Sequence, residues 1–269
     1  MQRQDERIRR RHGFSRQDLL AVLVTLMVLF VLAALLLPLL TYQRVGQNPM
    51  VREGVQLRGI YQSIQIMSED FAGDRYVTPA QVLQRETESS LNTTASFYSM
   101  MIMQNYFSPN LVISRRESNP RVREMTDYDW DLFDPAEGIR WDDAFQADLT
   151  TTSNTSYAHL LLHGARLDRH WRTADTAHVP LLGNRGPRDG VPDASSYTCD
   201  DRGRWHDQMV VTADGASHRN MSMTPANLTY GDPPQPDNVF AMEDGPEGED
   251  VILTFTKEIR DGRVVIQHD

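Results

Sequence analysis

Residues 19–40 read LLAVLVTLMVLFVLAALLLPLL. No charged side chain occurs in this stretch, and only Thr25 and Pro38 interrupt its aliphatic and aromatic pattern. A helix rising ~1.5 Å per residue crosses the ~30 Å hydrocarbon core of a bilayer in such a length. Core helices of soluble proteins are rarely apolar on every face for so many turns. Arg3, Arg7, Arg9, Arg10 and Arg11 cluster before the run, whereas Arg44 and Arg52 follow it. The positive-inside rule therefore predicts a cytoplasmic segment at 1–17 and a body across the membrane at 41–269. A cleaved secretory peptide would have a shorter apolar part, ~7–15 residues, ending in a small-x-small site. This run ends Pro38-Leu39-Leu40-Thr41-Tyr42, with no such site, and is expected to stay as an anchor.

The 269 residues suit one ordinary domain plus that anchor. A body of roughly 200 residues can bury about 70% of its unfolded surface, enough for a real core. The formal charge is −10; six arginines against three carboxylates give residues 1–40 a surplus of +3, so the rest of the chain carries −13. Such a body repels phosphates, which argues against nucleic acid as a partner. Cys199 is the single cysteine, so no internal disulfide can form. Its neighbours offer no histidine partner for a nucleophilic role.

Just before the apolar run stands His12-Gly13-Phe14-Ser15-Arg16-Gln17-Asp18. This junction resembles the type IV prepilin and type II secretion pseudopilin signal: a basic leader ending in Gly, then Phe-Ser/Thr, a carboxylate at the fifth mature position and a hydrophobic helix. The resemblance implies cleavage between Gly13 and Phe14 by a membrane-embedded prepilin peptidase, N-methylation of Phe14, and pairing of Asp18 with the N-terminus of a neighbouring subunit. Glycine at the cut lets backbone enter a protease groove without side-chain clash. A carboxylate beside hydrocarbon costs roughly 2–3 kcal/mol unless paired, so Asp18 needs a partner. Asp18 stands where the family usually carries Glu. Ser15 and Asp18 also read as a capping box opening the helix, and both roles are compatible.

Beyond the anchor, Gly46-Gln47-Asn48-Pro49 reads as a break, and Pro38 is expected to kink the last turn of the first helix. Val51, Val55, Ile60, Ile64 and Met67 predict a second, amphipathic helix ending before Gly73. Residues 94–107, rich in Met, Phe and Tyr, predict another, ended by Ser108-Pro109, with its methionines serving as core. Short strands are expected at 111–114, 157–162, 179–182 and 209–212. Residues 251–259 and 264–267 flank Asp261-Gly262, the strongest hairpin signal in the chain. Between them, 127–141 alternates acids with Tyr128, Trp130, Phe133 and Trp141, read as aromatic anchors pinning a solvated loop.

A second resemblance lies near the C-terminus. Trp205-His206-Asp207 followed by Met209-Val210-Val211-Thr212-Ala213-Asp214-Gly215 is similar to the H-x9-DG motif of a large bacterial prepilin-like family. Here seven residues separate His206 from Asp214. Together the two resemblances imply His206, Asp214 and Gly215 as the family's C-terminal motif.

The remaining candidates for chemistry are weak by pattern. His159 and His163 are spaced like a zinc pair on a helix, but Leu160 replaces the glutamate of HExxH and the local pattern is that of a strand. Asp200, Asp201, Asp207 and Asp214 could offer oxygen to calcium without EF-hand spacing. No G-x-S-x-G elbow and no phosphate loop occur, and Lys257 is the only lysine.

These readings predict an α+β, pilin-like chain: a leader at 1–13, a transmembrane helix at 14–45, and an extracytoplasmic domain of short helices and antiparallel sheet at 46–269. The expected role is that of a non-enzymatic structural subunit in the inner membrane, without metal or cofactor. Its expected partners are the membrane, the prepilin peptidase/methyltransferase and pilin-like subunits. The alternative is a membrane-anchored binding or sensing module that never polymerises.

Overall fold

Helix α1 (Arg16–Gly46) carries the apolar run, and α2 (Pro49–Asp70) follows it. This computed structural model describes residues 16–46, 49–71, 74–172, 178–206, 208–219 and 221–269, with the side chains of Asp18 and 35–46 excepted. Gly13, Phe14 and the carboxylate of Asp18 therefore lie outside the described residues. In α1 every described side chain from 19 to 34 is exposed, and the hydroxyl of Thr25 donates to the Ala21 carbonyl at 2.8 Å, so the one polar side chain of the run is paired. Among the described residues no helix is long and apolar enough to cross a membrane; the side chains of 35–40 are not among them. The helix runs through Pro38, close to the expected span of 14–45. The chain divides into two units, Met1–Asn48 and Pro49–Asp269.

Within the second unit, α2 buries Met50, Glu53, Gly54, Leu57, Ile60, Tyr61, Ile64, Met67 and Ser68, a stripe at alternating spacings of three and four. Val51 and Val55, expected on that face, point outward. The stripe built on Leu57 and Tyr61 buries more surface, and Gly54 lets the Met209 side chain approach, so this register wins.

The stripe lies on a six-stranded antiparallel sheet. Its strands are β1 (Tyr157–Leu160), β2 (Pro180–Asn184), β3 (Met209–Thr212), β4 (Ser217–Arg219), β7 (Leu253–Arg260) and β8 (Arg263–Gln267), in the order β4-β3-β2-β1-β7-β8. A two-stranded ribbon, β5 (Thr229–Tyr230) and β6 (Gln235–Pro236), stands apart. Helix α2 packs across β2, β3 and β4. Strands β1, β2 and β3 are buried at every position, which is why they read as short continuous apolar runs without alternation. Ala158 opposes Gly183, and Gly183 opposes Val210, so small residues sit where strands and cover meet most closely. Asp261 and Gly262 take φ of 51° and 72°, the left-handed pair a tight hairpin needs between β7 and β8.

Three short helices complete the body: α3 (Pro79–Val82), α4 (Thr94–Met103) and α5 (Gly164–His170). Thr93 caps α4 by accepting from Ser96 N, and α4 packs on β7 with Phe97, Tyr98, Met100, Met101 and Ile102 buried. It ends earlier than expected because Asn105 turns left-handed at φ 60°. The strand expected at 111–114 is absent; Pro109–Val112 is a 3-10 turn, begun by Pro109 in the first helical position. The α+β class with an antiparallel sheet thus stands.

Candidate functional site

Strand β3 leads into the turn Ala213-Asp214-Gly215-Ala216 and returns as β4. The Asp214 carboxylate accepts from the Thr212 hydroxyl at 2.6 Å and the Ala216 N–H at 2.9 Å. Burial pushes this carboxyl up, but those two donors and the nearby His218 outweigh it, holding Asp214 below the usual carboxylate range. Gly215 has φ +76°, and a Cβ there would lie 2.8 Å from Cε1 of Tyr61. The Tyr61 hydroxyl donates to the Ala213 carbonyl at 2.5 Å, accepts from Gln65 Nε2 at 2.9 Å and sits 3.2 Å from the Tyr76 hydroxyl. Since its one proton goes to Ala213, Tyr76 is the donor between the two phenols. The turn is therefore clasped from above by α2, and both halves of Asp-Gly are used: the carboxylate to tighten the turn, the glycine to admit the ring.

His206 does not share this site. It precedes β3, exposed, at the end opposite Asp214, and its N–H donates to Thr198 O at 2.8 Å. The histidine beside Asp214 is His218. The signal that points to His218 is its place on the returning strand of the same hairpin, opposite Val210.

A second buried tie fixes α2 to the sheet. Glu53 accepts from the Ser114 hydroxyl at 2.5 Å and Asn184 Nδ2 at 2.9 Å, with Arg116 at 3.4 Å. Asn184 Oδ1 in turn accepts from Met209 N at 2.6 Å. Beside it, buried Arg185 forms a bidentate pair with Glu117 at 2.7 and 3.0 Å, reaches Asp269 at 3.2 Å and lies 5.0 Å from the Tyr197 ring centroid. Burial raises the Glu117 carboxyl, but Arg185 outweighs it, and the net shift is downward. These groups are paired and largely buried, which suits fastening rather than turnover.

The remaining histidines are dispersed. His159 lies on β1, fully buried; its Nδ1 donates to the Leu160 carbonyl at 2.7 Å and its Nε2 accepts from the Thr94 hydroxyl at 3.0 Å. Thr94 Oγ1 also accepts from Thr256 N at 2.8 Å, so the ring pins α4 to β7. Burial holds this imidazole down, to about 4. His163 precedes α5 and contacts Glu247 at 2.8 Å. Asp200 is engaged by Arg204, and Asp207 lies outside the described residues. Among the described residues no three His, Cys, Asp or Glu side chains are grouped to hold a metal.

Buried Arg166 organises the acidic stretch 243–250. Its guanidinium pairs with Asp250 and donates to the Pro246 and Gly245 carbonyls at 2.6 and 2.7 Å. Asp237, buried beside this cluster, accepts from Val251 N at 2.8 Å, and its Oδ1 has no partner. Burial, then repulsion from Asp250 and Glu243, pushes Asp237 up to about 7.

At the surface, the stretch 127–141 divides in two. Tyr128 and Trp141 are buried anchors as expected, whereas Trp130, Leu132, Phe133 and Ile139 face solvent. Elsewhere an open groove of about 540 Å³ runs along β8, walled by Lys257 and Arg188. No family model, curated protein or solved structure matches the chain.

Proposed function

We propose that this chain is a membrane-anchored structural subunit of pilin-like type, cut between Gly13 and Phe14 by a prepilin peptidase, methylated on Phe14, and joined to pilin-like subunits through its apolar helix. The body then lies outside the inner membrane, and Asp18 pairs with a neighbouring N-terminus. The observation that carries this reading is the order and packing of elements. An apolar helix is followed by α2, which is laid on an antiparallel meander and latched at the Asp214-Gly215 turn by Tyr61. An amphipathic helix docked on a sheet, next in sequence to a hydrophobic segment, suits a body tethered mechanically by an anchor. Paired, largely buried ionic groups at the helix–sheet contact suit that mechanical role.

N-terminal sequencing of protein recovered from membranes tests the reading. Methyl-phenylalanine at residue 14 is the expected first residue, and Gly13→Val is expected to leave the precursor uncut. Recovery of the chain intact from Met1, or without residues 19–40, would falsify it. Cysteines placed through 19–36 in a Cys199→Ser background separate assembly from a solitary module: ladders of crosslinked multimers are expected, and monomers alone favour the binding or sensing alternative.

A further inference from the structure

The first turns of α2 gather the arginines of a later segment around them. Arg116 Nη1 lies 2.8 Å from the sulfur of Met50 and 3.4 Å from the Glu53 carboxylate. Gln56 Nε2 donates to the Leu111 and Ile113 carbonyls, both at 3.2 Å, which sets Arg115 beside the same helix. Ser156 N donates to Val112 O at 2.8 Å, joining this stretch to 153–156. There Ser153 N donates to Arg121 O at 3.0 Å, and Arg123 N donates to Ser153 O at 2.9 Å. Val122 between them is buried, so Arg121 and Arg123 both point outward. Arg115, Gln56 and Glu124 share the wall of an open hollow of about 400 Å³.

The charge of this face is opposite to that of the body. Arg115, Arg121 and Arg123 are exposed, and none of them makes an ion pair among the described residues. With Arg52 and Arg116 they number five against two carboxylates, Glu53 and Glu124, a surplus of +3. Glu117, in the same stretch, is neutralised by buried Arg185. Residues 41–269 carry −13 as a whole, so the surplus is a local reversal of sign. Its place along the chain matters too. Pro49 opens α2 nine positions after Leu40, the last residue of the apolar run, and nine residues reach at most ~32 Å. A chain anchored by that run keeps the first turn of α2 within that reach of the bilayer surface. Such a tether makes the contact intramolecular, so a weak attraction is enough. Arg115 to Arg123 lie far beyond the ~15–20 residues whose charges set orientation in the membrane, so the topology signal does not account for them.

We infer that this arginine face docks on the anionic phospholipid headgroups of the membrane that holds the chain. Phosphodiester oxygens accept from the guanidinium groups of Arg115, Arg121 and Arg123, whose planar forks match them. The hollow between Arg115 and Gln56 has room for a headgroup. Repulsion of the remaining acidic surface by the same headgroups reinforces the orientation. The inference rests on the anchor of the pilin-like reading, but on neither cleavage after Gly13 nor assembly.

The test uses the full chain with a fluorophore on Ser118→Cys in a Cys199→Ser background, placed in nanodiscs that carry a nitroxide on some lipid headgroups. Ser118 is exposed between Arg116 and Arg121. Quenching is expected to be about threefold or more stronger in an equal mixture of phosphatidylcholine and phosphatidylglycerol than in phosphatidylcholine alone. Salt at about 1 M, where the screening length falls to ~3 Å, should remove the difference. Arg121→Glu combined with Arg123→Glu should remove it too, with unchanged near-ultraviolet circular dichroism verifying the fold. Equal quenching in the two lipids, or quenching indifferent to the double substitution, overturns the inference and leaves the anchor standing, because the chain has still entered the discs. Entry into neither kind of disc sinks the anchor and the inference with it. Exchange of chloride for inorganic phosphate at constant ionic strength is expected to change nothing; loss of the lipid difference there identifies a site for free phosphate and overturns the lipid face.

Discussion

Replacing Gly215 by Ala puts a methyl group against the latch between α2 and the sheet. Two costs arise, and they are separable. An L-residue held at φ +76° pays a left-handed conformational cost of about 1–2 kcal/mol. The new Cβ would also stand 2.8 Å from Cε1 of Tyr61, closer than carbon atoms approach, and overpacking of this kind costs about 1–3 kcal/mol. Gly215→Ala is thus expected to destabilise the body by about 2–5 kcal/mol, a large share of an ordinary folding free energy. In a Tyr61→Leu background the ring is gone and only the conformational cost remains, so the two substitutions should couple by about 1–3 kcal/mol. Urea unfolding of the full chain in detergent micelles, followed by tryptophan fluorescence with unchanged m-values, measures all four corners of the cycle. If the effects add to within about 0.5 kcal/mol, the ring does not press on the turn. Asp-Gly is then ordinary turn chemistry and the latch is refuted.

Other substitutions probe the rest of the body. Burial lowers His159 from 6.5 to about 4, so the unfolded chain takes up this proton first. Its contribution is complete above pH 6.5 and is lost as pH falls toward 4, by about 3 kcal/mol in all; a pH series of urea midpoints should show this slope, and His159→Gln should flatten it. Asp237 has the opposite sign. With its folded value raised from 3.8 to about 7, stability is lost as pH rises between those values, so Asp237→Asn should stabilise the body at pH 8 by about 2 kcal/mol and have little effect at pH 4. Arg185→Ala strands the buried carboxylate of Glu117 and should cost about 3–5 kcal/mol, with Arg185→Lys recovering only part because the bidentate geometry is lost.

Much of the local structure was legible in the order of residues. The β-branched run at 209–212 forms β3, and the Asp261-Gly262 turn joins β7 to β8. Such features depend on backbone preferences and side-chain period, which act over a few residues. The face of α2 was misread because Val51 and Val55 are apolar yet lose to Leu57 and Tyr61 once the sheet supplies partners. The division of 127–141 into buried anchors and exposed aromatics followed the same rule, since composition does not say which rings find a cover.

The chain's own order of residues determined a charge-free apolar stretch behind an arginine-rich N-terminal segment, a strongly acidic remainder, the absence of any internal disulfide, and short strands punctuated by Asp-Gly turns. Only the tertiary structure decided that Gly215 exists to admit Tyr61 from a helix far away in sequence, that His218 rather than His206 accompanies Asp214, and that Glu53, Glu117 and Asp250 are fastened inside the body. Period and turn chemistry are local and can be read along the chain. The partner of a ring or a carboxylate is chosen by which distant elements the core brings within a few ångströms, and that choice is made in three dimensions.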